Sequence, residues 1–238
     1  ITPRKKSIEE QYPLILGGAL RIEQNYHSFG YVEHGKAIGS SFGIINTSDT
    51  PLTITLIASQ ESGHLSLHYP KTLATHQSGV IDFGYNLAAE CNMYGTLQDI
   101  LYIDINSTRS PYPLIINGIA IDNRKINTDK EWQRIQLSEN FIKFGTLKHS
   151  NKAVSRHITV SNIGLEPLII RAIECDNKAF SAALVGKSVI DSDSESLIEV
   201  RFNPSTADFG AVVGSIMIIT NDPQQPSKRL KVTAIVEK

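Results

Sequence analysis

The chain is poor in cysteine, and its two, Cys91 and Cys175, fall in different halves at positions that do not correspond. A disulfide inside each half is therefore excluded. A bridge between halves would need Cα atoms within about 7 Å, which two separately folded units do not ordinarily supply. Both are expected as free thiols, a state that neither establishes nor excludes an oxidising compartment. Long apolar runs are also missing: no stretch approaches the roughly 20 residues of a membrane-spanning helix. Charge of one sign is lacking, with a formal net charge of −1, so electrostatic capture of nucleic acid or anionic lipid is not expected. The one basic run, Arg4-Lys5-Lys6, reads as a solvated tail. No Gly-x-Ser-x-Gly motif and no Gly-rich phosphate cradle occur. Helical periodicity is scarce as well, the nearest candidate, Glu90 to Leu97, being broken by Gly95.

What the chain does contain, it contains twice. Phe29-Gly30 returns as Phe144-Gly145, Asn46 as Asn162, and Pro51-Leu52 as Pro167-Leu168. Gly95 returns as Gly210, Asn106 as Asn221, and Pro111 as Pro226. The offset stays at 115 to 117 residues, too long for a solenoid unit of roughly 20–50 residues and the size of a small domain. A chain of 238 residues suits two such domains, each able to bury its own core.

Within each copy the signal is short strands separated by turn chemistry. Leu197 to Phe202 alternates, placing Ile198, Val200 and Phe202 on one face and Glu199 and Arg201 on the other. Ile81, Phe83 and Tyr85 do the same around Asp82. The last strand sets Leu230, Val232, Ala234 and Val236 against Lys231 and Thr233. Period two is what a half-buried antiparallel strand requires. Asn46 to Pro51, Asn162 to Pro167 and Asn221 to Pro226 are turns, their prolines fixing φ and forcing the preceding residue to extended geometry. About seven such strands per copy predict an all-β chain of two tandem immunoglobulin-like β-sandwich domains. The expected division is an N-terminal arm over 1–18, irregular or a strand on the first domain. A first sandwich over 19–122, a linker over 123–133 beside the sole Trp132, and a second sandwich over 134–238 follow.

The second copy carries an ordered string: Phe144-Gly145, Val160-Ser161-Asn162-Ile163-Gly164, Pro167-Leu168, Phe202-Asn203-Pro204, Gly210, and Ile218 to Pro223. In this it resembles the ASH (ASPM–Hydin-type) domains and the related bacterial immunoglobulin-like domains of uncharacterised role abundant in Bacteroidetes. The first copy is a degenerate version: Tyr85-Asn86-Leu87 replaces Phe-x-Pro, and Asn106-Ser107-Thr108 replaces Asn-Asp-Pro. The resemblance implies that Cys175 lies where bacterial members often carry cysteine, Ser59 being its counterpart. The landmarks themselves read as scaffold. Gly30 and Gly145 suit positive φ; Asn162 and Asn221 can hold freed backbone groups at strand ends; Leu168 and Phe202 belong in a core.

Candidate chemistry is thin. His64 and His68, with His76 and Glu61 nearby, are the one metal-like constellation, but residues four apart on a strand stand about 13 Å apart, too far for shared ligation. Asp191 to Glu195 lacks the glycine and the twelfth-position glutamate of an EF-hand and reads as a solvated acidic turn. Cys175 has no basic neighbour in sequence, which makes an inert thiol the expectation. No catalytic residue, metal or cofactor is expected. Among the tyrosines of the first copy, Tyr85 and Tyr102 are expected to face the core, leaving Tyr69, Tyr94 and Tyr112 for any glycan surface. The loop from Asn86 to Tyr94 is two residues longer than its counterpart and adds Cys91, Met93 and Tyr94. Asn86, Cys91, Met93 and Tyr94 are thus the candidate binding residues.

The resemblance, together with a chain that starts at Ile1, carries the expectation of a processed, signal-peptide-bearing protein, periplasmic or at the cell surface. The expected role is a non-catalytic structural or protein-interaction module, with exposed sheet edges offering a site for strand addition. A carbohydrate-binding module and an accessory domain of an enzyme are the alternatives; nucleic acid is not an expected partner. Fold likeness does not choose among these.

Overall fold

The computed structural model describes residues 4, 6–60, 63–124 and 132–238. It divides into two compact units: Ile1–Asn92 with Thr96–Ala120, and Ile121–Lys238 with Met93–Gly95. Most of the expected linker, residues 125–131, lies outside the described residues.

The chain opens with a one-turn helix α1 (Ile8–Gln11). Its cause is legible: the Ser7 hydroxyl accepts from the Glu10 N–H while the Glu10 carboxylate accepts from the Ser7 N–H, a reciprocal capping box. The arm is thus not irregular throughout, and it ends in a strand, β1 (Leu14–Gly17), that hairpins onto β2 (Leu20–Ile22). Then follow β3 (Tyr26–Glu33), β4 (Ala37–Asn46), β5 (Leu52–Ala58), β6 (Leu65–His68), β7 (Thr72–Leu73), β8 (Ser78–Asn86), β9 (Gly95–Ile105), β10 (Thr108–Arg109) and β11 (Leu114–Ile121). One sheet runs β1-β2-β4-β8-β6 and the other β3-β11-β9-β5-β7, with β10 turned back on β9. Phe42, Ile44, Ile81, Phe83 and Tyr85 from one sheet meet Leu101, Ile103, Leu114 and Ile116 from the other in a single core.

The second unit repeats the plan. Its strands are β12 (Ile135–Leu137), β13 (Phe141–Lys148), β14 (Val154–Asn162), β15 (Leu168–Cys175), β16 (Phe180–Leu184), β17 (Val189–Ile190), β18 (Glu195–Phe202), β19 (Gly210–Thr220) and β20 (Ser227–Glu237). The sheets are β12-β14-β18-β16 and β13-β20-β19-β15-β17, closing on Ile158, Val160, Ile198, Val200, Phe202, Leu230 and Val232. Both units are all-β sandwiches. The segments outnumber the expected seven because short bridges such as β7, β10 and β17 carry no period-two signal of their own.

The repeated landmarks have matching jobs. Asn46 and Asn162 are fully buried. The Asn46 amide donates to Thr50 O and Ala74 O (2.8 and 3.0 Å), and that of Asn162 to Glu166 O and Ile190 O (2.8 and 3.0 Å). Each side-chain oxygen accepts the N–H two residues on, Ser48 or Gly164. One asparagine therefore closes its own turn and ties it to the strand across the sandwich, satisfying groups that would otherwise be stranded. Gly164 is obligatory for a second reason: a Cβ there would stand 1.9 Å from Trp132 O. Asn106 and Asn221 likewise accept the N–H of Thr53 and Ile169 at 2.9 and 2.7 Å. Gly30 and Gly145 have φ of 66° and 80°. Gly145 sits where the parallel register of β13 on β20 slips between Lys143 and Thr146, a slip that a left-handed residue permits.

The copies part at their closing turns. In the second, buried Asp222 accepts from Gln224, Gln225 and Ile135 N–H groups (2.9, 3.0 and 3.0 Å). The first lacks this carboxylate; Asn106 and Ser107 both adopt positive φ, and the chain doubles back as the β9–β10 hairpin.

Candidate functional site

The loop between β8 and β9 starts from a buried anchor. Leu87 is wholly buried and Pro204 is buried, so Tyr85-Asn86-Leu87 keeps the alternation of Phe202-Asn203-Pro204 without its 3-10 turn. The Leu87 carbonyl accepts the Gly35 N–H at 2.8 Å and the Asn86 N–H donates to His64 O at 3.1 Å. Cys91 N–H closes a turn on Ala88 O at 3.2 Å. Beyond the anchor, Ala88, Ala89, Glu90 and Asn92 are exposed, as are the Asn86 side chain and Met93.

The four candidate residues meet different surroundings. Asn86 and Cys91 belong to the first unit, Met93 and Tyr94 to the second. Cys91 packs on the first core, with Sγ 3.5 Å from Nε2 of the buried His34. The Tyr94 hydroxyl donates to Asp122 Oδ1 at 3.0 Å. Arg171 donates to both Asp122 oxygens at 2.8 and 3.0 Å and lies over the Tyr94 ring. His34, Asp122 and Arg171 carry no motif. His34 alone left a trace in the sequence, since His149 stands 115 residues later.

The remaining candidates are dispersed. His64 precedes β6 and His68 ends it. His76 takes a left-handed φ of 55° and pairs with Asp49 at 3.1 Å. Glu61 lies outside the described residues. Among the described residues no group of three or more His, Cys, Asp or Glu could hold a metal. Ser41, Asp82 and His68 do lie in register across β4, β8 and β6, lining a shallow groove of 720 Å3 over Gly39 and Gly84. Asp82 is the middle strand's residue, so Ser41 and His68 are two strand spacings, about 10 Å, apart and do not form a nucleophile–base pair. Asp191 to Ser194 is the turn between β17 and β18, with Asp193 at φ 52°, and Glu195 begins β18. Both cysteines are free. Burial pushes the Cys175 thiol above its ordinary pKa, and Asp176 adds to the effect.

One tyrosine faces the other way from expectation. Tyr85 is buried, but Tyr102 alternates with buried Leu101 and Ile103 on β9. It therefore points away from the core, where Arg109 covers its ring.

These two units are immunoglobulin-like β-sandwiches without a Cys–Trp–Cys core. Residues 133–235 match the family described as HYDIN/CFA65/VesB-like, Ig-like domain. Most of the chain shares its fold with a protein of unknown function from Porphyromonas gingivalis W83. That match has 18% identity and a TM-score of 0.65, covering 92% of this chain and 100% of that one. The ASH / PapD-like domain 7 of human CEP192 aligns with 52% of this chain and 94% of its own, at 13% identity and a TM-score of 0.37. No curated protein matches.

Proposed function

We propose that this chain is a non-catalytic structural and protein-interaction module of the bacterial cell envelope, and that its first copy makes the specific contact through the loop 86–94. The observation that carries this reading is a division of labour. Asn162, Gly164, Asn221 and Asp222 are consumed in holding the second sandwich together. The longer loop of the first copy is held by buried Leu87 and by Cys91 packed on the core, and turns Ala88, Ala89, Glu90, Asn92 and Met93 to solvent. Rigidly mounted loops of this kind are where binding residues concentrate. Export to the envelope is part of the proposal and rests on the family resemblance.

A glycan surface needs exposed aromatics grouped together. Of the three tyrosines left for such a surface, Tyr69 accepts the Leu56 N–H and lies under Lys71, Tyr94 is held by Asp122 and Arg171, and only Tyr112 of the three is widely exposed. The test is capture from envelope extracts by the full chain, by Ala89→Arg in the loop, and by Val213→Arg at an exposed position of β19. A protein retained by the chain and by Val213→Arg but lost by Ala89→Arg supports the reading. Retention by Ala89→Arg, capture of glycan in place of protein, or turnover of a substrate overturns it.

A further inference from the structure

The two thiols stand in opposite environments. Cys175 lies on β15 beside Asp176, and burial together with that carboxylate holds its proton on. Cys91 lies on an outer loop, partly buried against the first core, with a buried imidazole as its polar neighbour: His34, 3% exposed, places Nε2 3.5 Å from Sγ. This meeting is built. His34 follows β3 in the turn to β4, and the Gly35 N–H bond to Leu87 O pins that turn against the start of the loop. The Cys91 N–H bond to Ala88 O then folds the loop back. The second copy keeps the histidine and lacks the thiol. There the connection from Phe202 to Gly210 is two residues shorter and has no cysteine, and the His149 ring packs on Phe209 at 5.1 Å. The pair is therefore specific to the first copy.

We propose that Cys91 is a reactive thiol that exchanges with low-molecular-weight disulfides, His34 serving as its proton acceptor. In the exchange the Cys91 S–H proton passes to His34 Nε2 and the sulfur attacks one sulfur of the small disulfide. The incoming S–S bond breaks as the new one forms. The departing thiolate takes up a proton, and Cys91 is left as a mixed disulfide. No further oxidant or reductant is required. A thiol whose proton has an imidazole to go to is activated in the manner of a cysteine–histidine pair. A bulky adduct here would alter the surface of the loop 86–94. The chemistry stands whether or not that loop binds a protein.

The experiment measures the rate at which an aromatic disulfide reagent labels Cys175→Ser, native and then unfolded in urea. Partial burial by itself slows a native thiol relative to the unfolded chain. The expected result is the reverse: native Cys91 reacts faster, by about threefold or more. In the wild-type chain, peptide mapping places the first adduct on Cys91. In His34→Gln, with the fold checked by circular dichroism, the native excess disappears. The proposal is overturned if native Cys91 reacts no faster than unfolded, if Cys175 is labelled first, or if folded His34→Gln keeps the full rate.

Discussion

The Tyr85 hydroxyl donates to Asp99 Oδ2 at 2.7 Å inside the first sandwich, a polar contact that the second copy does without. At the corresponding positions, 117 and 115 residues on, stand Phe202 and Gly214. The Phe180 ring covers Gly214 so closely that a Cβ there would lie 2.8 Å from it. One core thus fills the space with a hydroxyl and a carboxyl group, the other with a third aromatic ring. Tyr85→Phe leaves a buried carboxyl group without its donor and should cost about 1–3 kcal/mol in urea unfolding. In an Asp99→Ala background the same change should cost less than about 1 kcal/mol, because the hydroxyl then retains only Ile116 O. Equal costs in both backgrounds would show the pair to be uncoupled.

Burial, followed by the Asp99 hydrogen bond, pushes the Tyr85 phenol far above its ordinary value. The unfolded phenol loses its proton near pH 10 while the folded one keeps it, so the unfolded state binds fewer protons and stability falls as pH rises above about 10. This contribution is fully present below that pH. Tyr85→Phe should shallow the alkaline loss by up to about 1.4 kcal/mol per pH unit. Denaturation curves between pH 9 and about 11 check it; an unchanged slope would contradict the assignment.

The buried asparagines should rank among the costliest polar substitutions. Asn162→Ala removes donors from Glu166 O and Ile190 O and the acceptor for Gly164 N–H. A loss of about 3–5 kcal/mol is expected from several groups stranded together. Asn221→Ala, at a half-exposed site where water can substitute, should cost about 1–2 kcal/mol. A reversed order in chemical denaturation would contradict the roles given to the two.

Much of this scaffold was legible in the sequence because each landmark has one local physical use. The alternation of Ile81-Asp82-Phe83 and of Leu197 to Phe202 placed the cores, and Gly145 and Asn162 announced a left-handed residue and a turn. Tyr102 failed that logic. An aromatic in an apolar strand reads as core, but phase along β9 is set by Leu101 and Ile103, and Arg109 on the paired strand β10 supplies the cover. The one-turn helix was missed, although Ser7-x-x-Glu10 is a capping-box pattern, because no apolar run of helical period follows it. The His34–Cys91 contact was not legible, since 57 residues separate its members and only folding brings their turns together.

Anchor and loop should separate on mutation. Leu87→Ala empties a wholly buried site and should cost about 2–5 kcal/mol. Ala88→Arg and Ala89→Arg, at exposed positions, should stay within about 0.5 kcal/mol of the parent. Thermal unfolding of the three variants checks this; a destabilised Ala89→Arg would show the loop to be part of the core.

The central claim, that the loop of the first copy is the contact surface, is tested most directly by hydrogen exchange on the full chain, free and bound to the protein it captures from envelope extract. Binding should slow exchange of the amides of residues 88–94 while those of β18 and β20 stay unchanged. Protection confined to residues 134–238, with the loop exchanging as in the free chain, would contradict the account.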